Sequence, residues 1–96
     1  MQKTNHLKQL QEALELFHFL LTKVKPSSLD ANLGLARVYD EMHLDRLAKK
    51  YFYDALNLDH YNPKTNFYFS DFYFKRADYI QSLFYAKRAF SHGMSQ

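Results

Sequence analysis

The chain has 96 residues, which suits one domain or a part of a larger one. Cysteine is absent, which excludes disulfide frameworks and thiolate metal sites, and the presence of only two glycines and two prolines disfavours a sheet of many short strands. The net charge of +3 is carried by residues 43–96, and this bias is too mild to indicate nucleic-acid binding on its own.

Apolar residues recur every three or four positions along most of the chain, which is typical of amphipathic helices. In the first segment, Leu7, Leu10 and Leu14 follow this spacing. Polar or proline-containing breaks divide the pattern into helices of regular length joined by short links. These helices are expected at about residues 5–24, 29–42, 46–58, 64–75 and 79–91.

Residues that favour helix ends stand at the breaks between these segments. The expected N-caps, whose side chains can accept a hydrogen bond from the first turn of the next helix, are Ser27 or Ser28, Asp45, Asn62 and Asp78. Pro63 is expected at the first helical position, where its missing N–H has no cost. Pro26 is expected to end the first helix, and Gly93 suits the C′ position after the last.

A shift of 34 positions lays residues 29–62 on residues 63–96. Identical residues then coincide at four pairs, namely Asn32 with Asn66, Tyr39 with Tyr73, Tyr51 with Tyr85, and Ala55 with Ala89. Elsewhere residues of similar size coincide, as in Ala48 with Ser82 and Leu35 with Phe69. The two halves therefore share a pattern of small and large positions more than they share identity.

This pattern resembles the tetratricopeptide repeat, a helix–turn–helix unit of 34 residues. The first full unit carries the motif at Asn32, Leu35, Ala36, Tyr39, Ala48, Phe52 and Ala55, with Pro63 just beyond it. The second carries it at Asn66, Phe69, Ser70, Tyr73, Ser82, Ala86 and Ala89. The opening helix resembles a second helix without its partner, through Ala13, Phe17, Leu20 and Pro26. The chain departs from the motif where the family usually has Trp (Asn32, Asn66), an aromatic residue (Ala86) and Gly (His43, Ala77).

The resemblance implies an all-α fold of five helices, in which antiparallel helix hairpins stack as a right-handed superhelix, or α-solenoid. It covers residues 1–96 as a single domain, with a half repeat at 1–26 and full repeats at 29–62 and 63–96, and it is compatible with a piece of a longer array. Small residues such as Ala48 are expected where helices cross, because a large side chain there would push the helix axes apart.

The resemblance also implies a function, since the first helix of each unit in this family lines a concave surface that binds peptides. Carried over by position, this surface holds Asp30, Leu33, Arg37, Asp40 and Glu41 from one unit and Lys64, Phe67, Asp71, Phe74 and Lys75 from the next. We therefore expect a non-catalytic protein-interaction module that binds a protein or peptide. The stretch LDHY at 58–61 also resembles small bacterial secretion chaperones built from such repeats, which favours a chaperone- or scaffold-like role. An alternative is that Phe67 and Phe74 pack against a neighbouring repeat or a symmetry-related copy of the chain.

Signals for catalysis and for cofactors are scarce. The five histidines show no i, i+4 pair and no metalloprotease pattern, and two glycines cannot build a phosphate-binding loop. Neither an enzyme nor a metal or other cofactor is expected.

The residues are compatible with two further kinds of partner. Lys75-Arg76 and Lys87-Arg88 lie beside aromatic residues, as in proteins that bind RNA, but they also suit solvated helix ends, where basic residues complement the helix dipole. Exposed ends of the array would favour a homo-oligomer through Leu14, Phe17, Leu21, Phe84 and Phe90. The chain lacks a membrane-spanning apolar run and a secretory signal at its start, so a cytoplasmic location is expected.

Overall fold

The computed structural model describes residues 2–25 and 27–91. This part of the chain is all-helical and contains no strand, which confirms the predicted all-α class with five helices. The helices are α1 (Gln2–Phe19), α2 (Leu29–Glu41), α3 (Asp45–Leu58), α4 (Pro63–Lys75) and α5 (Tyr79–Ala89). The predicted roles of Pro26 and Gly93 fall outside the described residues.

Three predicted N-caps are confirmed, and each accepts a hydrogen bond from the backbone N–H three residues later. They are Ser28 with Ala31, Asn62 with Thr65, and Asp78 with Gln81. Pro63 is the first residue of α4, as predicted. The prediction for Asp45 is wrong, because α3 already includes Asp45 in its first turn and Leu44 accepts the first backbone bond, from Ala48. A carboxylate in the first turn still complements the helix dipole there.

The first helix does not run as regular α-helix to its end. Residues Leu20–Val24 form a π-helical turn that continues α1, and the Lys25 N–H donates to the Leu20 carbonyl at 2.7 Å to close it. The wider turn accommodates one extra residue before the chain leaves the helix.

The chain divides into two compact units, Met1–Ala55 and Leu56–Gln96, with the boundary inside α3. Each unit is described by itself. In the first, α1 packs against α2, and the ring of Phe17 lies directly against Gly34. In the second, α4 packs against α5 around the rings of Phe69, Tyr73 and Tyr85.

The turns that follow α2 and α4 have the same backbone geometry. His43 and Ala77 adopt left-handed conformations, with φ of 60° and 61°. Directly after them, the Leu44 N–H donates to the Tyr39 carbonyl and the Asp78 N–H to the Tyr73 carbonyl, both at 3.0 Å. Such bonds close the end of a helix on a left-handed residue, a position that favours glycine.

Two asparagines that lie 34 positions apart, Asn32 and Asn66, bond to the backbone at the start of their own helices. The Asn32 Nδ2 donates to the Ser28 carbonyl at 2.9 Å, and the Asn66 Nδ2 donates to the Asn62 carbonyl at 2.8 Å. Both asparagines are buried. Each buried Nδ2 group therefore has a backbone acceptor, as buried polar groups require.

Most of the residues assigned to the repeat core from sequence are buried. They are Leu35, Ala36, Tyr39, Ala48, Phe52, Ala55, Phe69, Tyr73, Ser82 and Ala89. Ala13 and Phe17 are half-buried. Ala86 is exposed, contrary to the expectation, because the buried stripe of α5 runs through Ser82, Tyr85 and Ala89 and Ala86 lies just beyond its edge, about 40° around the helix from Ser82.

Candidate interaction surface

Helix α4 has one buried side and one exposed side. The exposed side, termed the α4 face, consists of Lys64, Phe67, Asp71, Phe74 and Lys75, and all five side chains are exposed. These positions follow the helical spacing of three, four, three and one, so they form one stripe along the helix. The buried side consists of Thr65, Asn66, Phe69, Ser70, Phe72 and Tyr73. The residues predicted on α4 are therefore brought together on one surface.

Two phenylalanines provide the apolar part of the α4 face. Phe67 is 48% exposed and Phe74 is 60% exposed. They lie seven positions apart, which corresponds to about 10 Å along a helix axis. Each ring meets a neighbour edge-on, Phe67 against Tyr68 at 5.2 Å and Phe74 against Tyr79 at 5.4 Å between centroids. These contacts orient both rings while a large part of each stays in solvent.

The charges on the α4 face alternate with its aromatic residues. The Lys75 Nζ lies 3.5 Å from the Asp71 Oδ2, an exposed pair that contributes little stability. Lys75 lies in the last turn of α4, where a positive charge complements the helix dipole. Lys64 lies in the first turn, where a positive charge is not stabilised by the dipole. Lys64 therefore has no stabilising role through the dipole.

The residues predicted on α2 are divided between core and surface. Leu33 and Asp40 are buried, while Arg37 and Glu41 are exposed, as is Asp30. Eight of the thirteen residues of α2 are buried, so its open strip is narrow. That strip is charged and lacks a large apolar side chain. Among the predicted α2 residues, only the charged ones, Asp30, Arg37 and Glu41, are exposed to solvent.

A cluster around Tyr39 was not foreseen from the sequence. The Tyr39 hydroxyl lies 3.1 Å from the His18 Nε2, and its ring stacks on Tyr51 with centroids 5.6 Å apart. The Lys50 Nζ lies 4.3 Å from the centre of the Tyr51 ring and donates to Asp54 at 2.8 Å. His18 and Tyr39 lie 21 positions apart, so no local sequence pattern predicts this cluster.

Two ionisable groups of this cluster have shifted pKa values. Burial raises the pKa of Tyr39, the nearby Tyr51 raises it further, and Lys50 opposes the shift. The hydrogen bond to Asp54 raises the pKa of Lys50. Both groups are thus held in their protonated form. This favours a packing role for the cluster, since a general base requires the opposite shift.

The arginines of the two Lys-Arg pairs make contacts within the second unit. The Arg76 guanidinium lies 3.8 Å from the centre of the Phe72 ring and donates to the Phe72 carbonyl at 2.8 Å. Arg88 donates to the His60 carbonyl and lies 5.1 Å from the centre of the Tyr61 ring. Both guanidinium groups are therefore partly engaged in holding their own unit together.

The apolar residues predicted at the array ends differ from each other in exposure. Phe84 on α5 and Phe90, the residue that follows α5, are exposed. Leu14, Phe17 and Leu21 are half-buried, and the exposed apolar residues of the first helix include Leu16 and Phe19 instead. The cause is the position of α2, against which the Phe17 side of α1 packs.

Comparison with known proteins yields no relative. No model of a protein family matches the chain, and neither a curated protein nor a solved structure matches it. Within residues 2–25 and 27–91, no group of three or more His, Asp or Glu side chains is placed to hold a metal ion. No helix in the same part of the chain is long and apolar enough to span a membrane.

Proposed function

We propose that the chain is a non-catalytic protein-interaction module built from units of the tetratricopeptide type, and that its α4 face binds an apolar segment of a partner protein. The unit type is supported by internal geometry that recurs at the repeat interval. The N-caps Ser28 and Asn62, the left-handed residues His43 and Ala77, and their closing hydrogen bonds all lie 34 positions apart.

The exposure of Phe67 and Phe74 on one face is the observation that carries the binding proposal. A solvent-facing helix side is normally polar. Here two large aromatic rings alternate with charged residues, a composition that is typical of the centre and rim of protein interfaces. Binding would remove both rings from water and would stabilise the complex through apolar burial.

The spacing of the two rings defines the chemistry of the partner. Apolar side chains about 10 Å apart occur seven residues apart on an amphipathic helix. The α4 face ends in Lys64 on one side and Lys75 on the other. We therefore expect the partner to be an amphipathic helix with two apolar anchors seven residues apart and with acidic residues outside them. Holding such a segment is compatible with a chaperone-like or scaffold-like role.

RNA binding is the alternative function that the sequence left open. It would use the Lys-Arg pairs and their neighbouring aromatic residues. The guanidinium groups of Arg76 and Arg88 contact their own unit, and the α4 face includes the carboxylate of Asp71. These observations favour a peptide partner, and RNA binding becomes an outcome of the test.

The test is a selection of helical peptides from a displayed library, followed by calorimetric titration of the enriched sequences. We expect enrichment of apolar residues at i and i+7. The double variant Phe67→Ala/Phe74→Ala should bind at least tenfold more weakly, which corresponds to about 1.4 kcal/mol. Phe19→Ala is the matched control, since Phe19 is an equally exposed phenylalanine on α1, and it should bind like the unchanged chain.

Two results would contradict the proposal. The first is equal affinity of the double variant and the Phe19→Ala control for every selected peptide. The second is the absence of peptide enrichment together with binding to single-stranded RNA that weakens steeply between low and moderate salt, which would identify phosphate contacts as the source of affinity.

A further inference from the structure

Helices α4 and α5 pack as an antiparallel hairpin, and one edge of α4 faces one edge of α5. The rings of Phe74 and Tyr79 meet across these edges, with centroids 5.4 Å apart. Seven residues, or about two turns, lead from Phe74 back to Phe67 on the same edge of α4, and from Tyr79 on to Ala86 on the same edge of α5. Phe67 and Ala86 therefore lie opposite each other on the same side of the hairpin.

The side chains along this side of the hairpin are termed the α4–α5 groove. They are Phe67 and Phe74 from α4, Ala86 from α5, and Phe90, which follows α5, and all four are exposed. Phe90 lies four residues after Ala86, about one turn further along the same side. The groove thus presents three aromatic rings around one short side chain.

The residues 34 positions before those of the groove are all buried. They are Leu33, Asp40, Phe52 and Leu56. The hairpin of α2 and α3 has the same left-handed turn, the same closing hydrogen bond and the same tyrosine stack as the hairpin of α4 and α5. Packing inside a hairpin would therefore bury the same positions in both. The difference in exposure arises outside the hairpin, from what lies over this side of it.

The burial of the four earlier residues also indicates the kind of structure that covers this side. Residues 2–25 and 27–91 contain helices and short links and no strand. The cover over the earlier positions is therefore helical. Because the two hairpins have the same internal geometry, a helix is also the structure that fits the exposed α4–α5 groove.

We infer that the amphipathic helix of the partner protein lies along the α4–α5 groove and places a large apolar side chain over Ala86. This inference rests on the function proposed for the α4 face and specifies how the partner is held. A helix on α4 alone would contact Phe67 and Phe74, whereas a helix in the groove also covers Ala86 and Phe90. The partner then needs an apolar stripe wide enough to face two helices.

Ala86 determines which side chain the partner presents. Phe52, at the corresponding position 34 residues earlier, fills the space there with its own buried ring. The side chain of Ala86 ends at Cβ, so the space above it is open to a side chain from a facing helix. Insertion of one large side chain among the residues of a facing helix is the usual way in which two helices interlock.

The charges beside the groove define the flanks of the partner helix. Lys64 lies about 60° around α4 from Phe67, and Lys87 lies about 60° around α5 from Phe90. Both lysines are exposed, one on the outer edge of each helix. Acidic residues on both flanks of the partner's apolar stripe would complement them.

The substitution Ala86→Phe tests the inference with the peptides selected from the displayed library. The added ring occupies the space over α5, so calorimetric titration should show at least tenfold weaker binding. Gln81→Phe is the matched control, because it adds the same ring at an exposed position about 140° around α5 from Ala86. It should bind like the unchanged chain. Circular dichroism checks that both variants are as helical as the unchanged chain.

A shortened peptide tests the contact over Ala86 directly. Each large apolar residue of the selected peptide is replaced by alanine in turn, and every shortened peptide is titrated against the unchanged chain and against Ala86→Phe. One shortened peptide should bind the unchanged chain more weakly than the full peptide does, yet bind Ala86→Phe at least fivefold more tightly than the full peptide does. Such compensation measures the coupling between the two side chains.

Phe90 provides a second test on the same side of the hairpin. Phe90→Ala should weaken binding at least threefold. Phe84→Ala is its matched control, because Phe84 is also an exposed phenylalanine but lies about 120° around the helix from Phe90. It should leave the affinity unchanged.

The outcomes separate this inference from the function on which it rests. If Ala86→Phe and Phe90→Ala bind as tightly as their controls while Phe67→Ala/Phe74→Ala binds weakly, the groove is overturned and the α4 face remains the binding site. If Phe67→Ala/Phe74→Ala also binds like the unchanged chain, or if no peptide is enriched, the proposed function fails and the inference fails with it.

Discussion

The phenol rings of Tyr73 and Tyr85 stack almost in parallel, with centroids 5.9 Å apart and planes 5° from parallel. The rings of Tyr39 and Tyr51 stack 34 positions earlier, at 5.6 Å and 16°. Each pair joins the first helix of a hairpin to the second. Together with the matching caps and turns, the two stacks indicate that the same internal contacts shape residues 29–62 and residues 63–91.

Removing the backbone strain at Ala77, in the left-handed turn after α4, should stabilise the chain. Ala77 adopts φ of 61°, which costs a residue with a Cβ about 1–2 kcal/mol. Glycine removes this strain, but it also raises the backbone entropy of the unfolded chain, which offsets part of the gain in stability. Ala77→Gly should therefore raise the free energy of unfolding by about 0.5–1 kcal/mol in urea titrations. Ala86→Gly, in the exposed interior of α5, should lower it by about as much. Effects of equal sign would show that Ala77 carries no strain.

A small residue is required at position 48. Ala48 is fully buried, so Ala48→Leu should overpack its surroundings and lower the free energy of unfolding by about 1–3 kcal/mol. The same substitution at exposed Ala86 should change it by less than about 0.5 kcal/mol. Thermal or urea unfolding gives both values. If Ala48→Leu were as stable as Ala86→Leu, the packing role assigned to Ala48 would be wrong.

Gly34 permits the close approach of α1 to α2. A Cβ at this position would clash with the ring of Phe17. Gly34→Ala should therefore destabilise the chain by about 1 kcal/mol, even though alanine favours a helix. In a Phe17→Ala background the clash is absent, and the same change should become neutral or stabilising. A double-mutant cycle measures this coupling, and an identical effect in both backgrounds would contradict it.

Alkaline pH should destabilise the chain through the Tyr39 cluster. Burial raises the pKa of Tyr39 above its ordinary value of 10.0, so the unfolded chain releases this proton at a lower pH than the folded chain. The free energy of unfolding then falls as the pH rises above about 10. Lys50, whose pKa is also raised, acts in the same direction.

Thermal unfolding between pH 8 and pH 11.5 measures this dependence. Tyr39→Phe should show a shallower decline in melting temperature above pH 10 and a constant offset from the unchanged chain below pH 9. A decline as steep as that of the unchanged chain would show that Tyr39 does not contribute.

Local residues were sufficient to predict the helices and most of their caps. Ser28, Asn62 and Asp78 act on N–H groups three residues away, so their sequence neighbourhood contains the whole interaction. The stripe of Phe67, Asp71 and Phe74 followed from helical spacing for the same reason, whereas Lys64 was assigned through the family resemblance. Asp45 was misassigned because a carboxylate suits both the N-cap and the first turn.

Features that depend on the packing of separate helices could not be predicted from a local sequence pattern. The contact of His18 with Tyr39, the close approach at Gly34 and the burial of Leu33 and Asp40 arise only when separate helices meet. Ala86 lies outside the buried stripe of α5, whose width depends on how α5 packs against α4. The stacking of the hairpins into a superhelix and the cytoplasmic location stay predictions.

Chemical-shift mapping by NMR tests the central claim most directly. The isotopically labelled chain is titrated with the tightest helical peptide obtained from the displayed library. We predict that the largest shifts of backbone amides fall along α4 around Phe67, Asp71 and Phe74, and that they disappear in Phe67→Ala/Phe74→Ala. Shifts that leave α4 unchanged and concentrate on another helix would contradict the account.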